Sequence, residues 1–148
     1  VAYVEGAHVW VAVVGDSRAV LGRQFGLTGQ VQAVPLSIDQ TARNPQENSR
    51  LIEAHSRELE TVVSRGRLLG SLMPTRAFGD ARYKWPLPTA QVVTPHSGRR
   101  MPRHYYTPPY VTAEPEVAHY RLDGRDQFLA LASDGIYDHL TNDEVAEL

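Results

Sequence analysis

The hydrophobic pattern of the 148-residue chain is mostly that of short strands. Residues 1–4 form a short apolar run that ends at Glu5-Gly6, a turn pair. Residues 9–14 are almost continuously apolar, as in a strand buried on both faces. Gly15-Asp16-Ser17 supplies turn chemistry, and residues 18–23 return as strand, which predicts a hairpin. Gly26 and Gly29 punctuate the next turn, before a strand over residues 30–36. Residues 116–122 and 128–132 read as two more strands around an Asp123-Gly124 turn, again a hairpin. The run Phe128-Leu129-Ala130-Leu131-Ala132 lacks alternation and predicts burial on both faces.

Helical spacing appears in fewer places. Asn44-Pro45-Gln46-Glu47 is a helix start: Asn44 caps, Pro45 takes the first position and Glu47 completes a capping box. Leu51, Ile52, His55 and Leu59 follow at helical spacing. Thr141 and Glu144 form a second capping box and open a final helix. Residues 62–69 predict a short strand with a turn at Gly66. Residues 86–109 are rich in proline, carry the basic cluster Arg99-Arg100-Met101-Pro102-Arg103, and read as a long surface loop. Strands in hairpins with a few helices predict antiparallel sheets with helices packed outside.

Composition narrows the class. The length suits one domain. A net charge of −2 with no dominant basic patch gives no electrostatic basis for nucleic-acid binding. The chain has no Cys, so neither disulfides nor thiolate metal sites are available. No apolar run approaches the roughly 18 to 20 residues of a membrane span. The sequence has no initiator Met and no targeting pattern, and both ends read as cut from something longer.

Three places carry candidate chemistry. Asp134 ends the apolar run 128–132, followed by Gly135, where a hard divalent cation has room to neutralise it. A turn Asp that caps backbone N–H groups is the plainer alternative. Asp16 likewise ends an apolar strand, with a hairpin turn as its alternative. Arg76-Ala77-Phe78-Gly79-Asp80 offers a guanidinium for phosphate, or an Arg76–Asp80 structural pair with Gly79 at positive φ. The six His residues are scattered without metal-ligand spacing.

Taken together and in order, Gly15-Asp16-Ser17-Arg18-Ala19-Val20-Leu21, Arg76-Ala77-Phe78-Gly79-Asp80, Glu114-Pro115-Glu116-Val117 and Ala132-Ser133-Asp134-Gly135-Ile136-Tyr137-Asp138 resemble the metal-dependent Ser/Thr protein phosphatases of the 2C class. "RLLGSLMPTRAFGDARYKW" and "YYTPPYVTAEPEV" look like the mitochondrial branch of that family that acts on pyruvate dehydrogenase. The resemblance is weakest over residues 87–103.

The resemblance implies an α-β-β-α sandwich of two antiparallel sheets flanked by helices, of which residues 1–148 are the central part, with a loop insertion at about 86–109. It implies hydrolysis of phosphoserine or phosphothreonine on a protein with two or three Mg2+ or Mn2+ ions. Asp134 matches a ligand of the catalytic metal pair, and Asp16 matches a ligand of a third, weaker site that also uses Asp134. Residues 62–73 fall at the family's flap. The implied substrate is the E1 component of pyruvate dehydrogenase. The implied partners are the lipoyl domain of the dehydrogenase complex, bound with Ca2+, and a regulatory subunit, in the mitochondrial matrix.

The family's Asp-Gly-His-Gly motif, phosphate-binding Arg and Asp-Asn pair are absent from these residues, so alone they are expected to be inactive. Tyr137 stands where Trp is usual, and Gln40 follows Asp39 where many members have His. Haloacid-dehalogenase-like phosphatases need an Asp where Ala132 stands, and an EF-hand needs alternating oxygen ligands that are missing. A catalytically inactive phosphatase-like binding or regulatory module is the alternative function.

Overall fold

In the computed structural model, which describes residues 1–26 and 29–148, the elements run β1 (Ala2–Glu5), β2 (His8–Val13), β3 (Arg18–Phe25), β4 (Gln30–Pro35), α1 (Pro45–Ala54), β5 (Val63–Ser64), β6 (Arg67–Leu68), α2 (Leu87–Val93), β7 (Glu116–Arg121), β8 (Asp126–Ala132), α3 (Asp134–Tyr137) and α4 (Asn142–Glu147). Two 3-10 turns, Ala81–Tyr83 and Thr94–Ser97, lie between them. The turn expected between Gly26 and Gly29 includes residues 27 and 28, outside the described residues. The chain divides into two units, residues 1–39 with 115–148, and residues 40–114.

The first unit holds two three-stranded antiparallel sheets, ordered β1-β2-β7 and β4-β3-β8. Alternate residues point to opposite faces of a strand. Val9 and Val11 of β2 therefore share a core with Ala19 and Leu21 of β3, joined by Leu36, Val34, Tyr120 and Leu129. That core lies between the two sheets. The opposite face of β3 is covered as well: Val20 is fully buried, and α4 packs against β4 and β3. The expected antiparallel sandwich with outer helices is present.

Both expected hairpins are corrected. β2 pairs with β7, and β3 pairs with β4 and β8, so the chain changes sheet at residues 14–17 and again at residues 122–125. An ionic cluster around the buried Arg23 fixes the second crossing. The Arg23 guanidinium donates to Tyr120 Oη, Asp126 Oδ1 and Asp123 Oδ2, each at 2.6 Å, tying β3 to the end of β7 and the start of β8. Two strands expected to be buried on both faces are not. In β2, Val9, Val11 and Val13 are buried, while Trp10 lies on the outer face, stacked with His8 and His119 and tilted against Tyr3. β8 is at the edge of its sheet among the described residues, and Phe128 (40% exposed) on one face and Leu131 (53%) on the other are both partly open.

The second unit is built around Leu51, Val62, Leu68, Leu69, Tyr83, Ala90, Tyr105, Tyr110 and Val111. Residues 62–69, expected as a short strand with a turn at Gly66, form two short paired strands, β5 and β6, that turn through Arg65 (φ 54°) and Gly66 (φ 70°). Residues 86–109 are not uniformly loop. Pro86 and Pro88 stand at the start of α2, where proline is tolerated because the first N–H groups have no intrahelical partner, and Ala90 is fully buried.

α1 begins as expected at Asn44, whose side chain accepts from Gln46 N at 2.9 Å. Its capping box does not form. Glu47 turns inward, accepting from Arg76 Nη2 at 2.6 Å, Arg50 Nη2 at 2.8 Å and the Thr75 hydroxyl. The expected Arg76–Asp80 pair is thus replaced by Arg76–Glu47, and the positive φ belongs to Asp80 (52°) rather than Gly79. The extended segment through residues 75–77 joins both ends of this unit. Thr75 N donates to Gln40 O at 2.8 Å, Ala77 N to Thr112 O at 2.9 Å and Arg76 Nη1 to Glu114 O at 3.0 Å. Among the described residues, no helix is long and apolar enough to cross a membrane.

Candidate functional site

The strand register explains why Asp16 and Asp134 share one place. Arg18 opens β3 directly opposite Ala132, the last residue of antiparallel β8. Asp16 lies two residues before one and Asp134 two residues after the other, so both leave the same end of the same strand pair. Asp16 sits in the crossing from β2 to β3 and is half-buried. Asp134 opens α3 and is exposed, not closed in at the end of a dry strand. Asp138 follows one turn later, its N–H donating to Asp134 O at 2.7 Å.

The acids at this strand end act on one another. Burial pushes the Asp16 carboxyl upward. A backbone hydrogen bond opposes this, and the negative charges of Asp134, Asp39 and Asp138 push it up further. Like charges at one strand end cost free energy that a bound cation would remove. Arg18 neutralises one of them. Its guanidinium grips Asp39 through Nε at 2.6 Å and Nη2 at 2.9 Å, donates to Asn142 Oδ1 at 3.0 Å and lies 4.9 Å over the Tyr137 ring. The Asp39 bond is foremost among the causes that hold the Arg18 pKa up. One side chain therefore fixes the loop after β4, α3 and the start of α4 around the two acids.

Oxygen donors of this kind suit Mg2+ or Mn2+. They do not complete a site, since no three Asp, Glu or His side chains among the described residues are grouped to hold an ion. Arg76, the candidate phosphate ligand, is occupied by Glu47. Burial would raise the Glu47 carboxyl, but its bonds with Arg76, Arg50 and Thr75 win and hold it at about 2.

Asp39 and Asn142 were not foreseen as parts of this arrangement. Arg18 lies 21 residues from one and 124 from the other, and no local spacing marks such pairs.

Comparison with known proteins bears on this geometry. The protein phosphatase 2C family profile matches residues 1–148. The chain is 44% identical over 156 residues to human "[Pyruvate dehydrogenase [acetyl-transferring]]-phosphatase 2, mitochondrial", covering 99% of this chain and 29% of that protein. It is 43% identical over 159 residues to the bovine phosphatase 1 of the same description, covering 100% and 29%. The chain thus spans about 29% of the length of these curated relatives. Among solved structures, a serine-threonine phosphatase 2C from Toxoplasma gondii superposes with a TM-score of 0.60 at 20% identity, covering 99% of this chain and 43% of that one. That likeness concerns the fold.

Proposed function

Because this chain belongs to the protein phosphatase 2C family, we propose that it forms the central part of an enzyme that hydrolyses phosphoserine or phosphothreonine on a protein, using Mg2+ or Mn2+. The observation that carries the reading is the joint exit of Asp16 and Asp134 from the β3–β8 strand end, with mutual repulsion already present. Asp134, exposed at that end, is the ligand of the principal ions, and half-buried Asp16 is the ligand of a weaker one. Bound divalent ions supply a more acidic water and neutralise charge on the phosphoryl oxygens. Arg18 keeps Asp39 paired, which leaves Asp16, Asp134 and Asp138 as the acids at this strand end for a cation to meet. Likeness to the two mitochondrial relatives supports the E1 component of pyruvate dehydrogenase as substrate and the mitochondrial matrix as the setting. The same reading makes the Ca2+-bound lipoyl domain of that complex and a regulatory subunit partners.

The test is substitution in the full-length protein. Asp134→Asn keeps the shape but removes the charge. It should lower phosphoserine-peptide hydrolysis by about a hundredfold or more, since each ~1.4 kcal/mol is worth tenfold. Its thermal midpoint without metal should hold or rise as repulsion with Asp16 falls. Asp16→Asn should lose less, and more metal should restore it. A folded Asp134→Asn protein with parental rates at low metal would overturn the assignment.

A further inference from the structure

The His residues are scattered in sequence, yet the fold brings two of them together. His8 opens β2 and His119 lies in β7, 111 residues later. The two strands are antiparallel neighbours, with Trp10 directly opposite His119 and His8 directly opposite Arg121. Residues two apart in a strand share a face, so His8, Trp10 and His119 lie together and the two His are diagonal neighbours. Their face is the outer one, since Val9 and Val11 carry the core side of β2. His119 is exposed and His8 half-buried. Asp16 follows the other end of β2, so this pair is separate from the acids already described.

His8 Nδ1 and His119 Nε2 are 2.9 Å apart, and the two ring planes differ by 15°. Trp10 packs against both, its centroid 5.6 Å from that of His8 and 4.9 Å from that of His119. Two imidazole nitrogens at this distance hold a proton between them, one donating and the other accepting. Moving that proton to the far nitrogen of its own ring leaves two adjacent lone pairs, with no change in net charge. Such lone pairs repel unless one cation takes both, and imidazole suits Zn, Cu and Ni.

The spacing selects among these ions. An ion that holds two nitrogens at about 2.0 Å on adjacent corners of a square sets them about 2.8 Å apart, whereas a tetrahedral ion spreads them to about 3.3 Å. The observed 2.9 Å therefore fits the tetragonal preference of Cu2+ better than the tetrahedral preference of Zn2+. Cu2+ is also the first-row divalent ion that such donors bind most tightly. Each ring has to turn about its Cβ–Cγ bond so that both lone pairs meet at the ion. The nearby charges offset one another, because Glu5 stands opposite His8 on β1 and Arg121 stands opposite it on β7. Among the described residues no third Asp, Glu or His is grouped with the pair, so water fills the remaining positions.

We propose that His8 and His119 form a two-imidazole site for Cu2+ on the outer face of the β1-β2-β7 sheet, where the ion staples the start of β2 to β7. Its nitrogen donors set it apart from the acids at the β3–β8 end, and it does not depend on the phosphatase reading. The full-length protein is given excess Mg2+, which occupies oxygen-donor sites, and then one equivalent of Cu2+.

Electron paramagnetic resonance should show Cu2+ coupled to two imidazole nitrogens, and to one in His8→Gln or His119→Gln. The apparent Kd should rise about a hundredfold in either single variant, because the second imidazole binds as an intramolecular ligand. Bound Cu2+ should also quench Trp10, which packs against both rings. Trp10→Phe should remove that part of the quenching and keep the two-nitrogen signal, which locates the ion without deleting a ligand. Circular dichroism confirms that each variant is folded. A parental signal without coupling to two nitrogens, a two-nitrogen signal that persists in folded His8→Gln/His119→Gln, or quenching unchanged in Trp10→Phe would overturn the site.

Discussion

Tyr137 carries a hydroxyl that nothing needs. Its ring is buried beneath the Arg18 guanidinium, yet Oη is enclosed with no hydrogen-bond partner among the described residues, and burial pushes its pKa up. An unpaired buried hydroxyl costs about 1 to 3 kcal/mol, so its removal should be neutral or favourable. Tyr137→Phe is expected to match or exceed the parental stability in urea unfolding. A loss of more than about 1 kcal/mol would mean that the hydroxyl is bonded. Glu47 is the opposite case, a buried carboxylate with every oxygen in use. Its folded pKa of about 2 lies below its ordinary 4.5. Its contribution is therefore complete above pH 4.5 and disappears as pH falls toward 2, about 3 kcal/mol in all. The stability gap between the parent and Glu47→Gln should be widest near neutrality and narrow steadily below pH 4.5. A gap independent of pH would contradict the ionised network.

At the scale of elements, β3 and β8 meet at a fault. Gly22 lies opposite Phe128, while Arg23 pairs with Asp126, so Gln127 is left over as a bulge in β8. The Phe128 ring occupies the space above Gly22, and a Cβ there would come within 2.4 Å of it. Gly22→Ala should cost about 1 kcal/mol by overpacking. In a Phe128→Ala background the same change should become neutral or stabilising, since Ala suits a strand interior better than Gly. Additive effects in that double-mutant cycle would disprove the coupling. Strand positions were legible, because β-period and turn residues are local. Partners were not: Gly15-Asp16-Ser17 and Asp123-Gly124 look the same whether a chain doubles back within a sheet or crosses to another. Prolines 86 and 88 signalled loop by number although their position suits a helix start. Asp16 and Asp134 were legible as acids at two strand ends, whereas Asp39 and Asn142 were invisible because only the fold brings them to Arg18.

At the scale of the whole chain, the pairings that define the first unit are distant in sequence. Val9 pairs with Tyr120 and Leu21 with Leu129, across the whole of residues 40–114. Closing an open loop of about 75 residues costs on the order of 2 to 3 kcal/mol more than closing one of a few residues. The segment 75–77, bonded to Gln40 on one side and to Thr112 and Glu114 on the other, draws the ends of that insert together. If the insert folds first, the sandwich strands meet across a short effective tether rather than a long one. The Glu47–Arg76 ion pair then acts as a kinetic clasp as well as a stabilising contact. Stopped-flow refolding of the full-length protein should show Glu47→Gln slowing the folding limb, while Tyr137→Phe leaves it unchanged. If Glu47→Gln alters only the unfolding limb, the clasp forms after the strands have paired, and the order of assembly is the reverse.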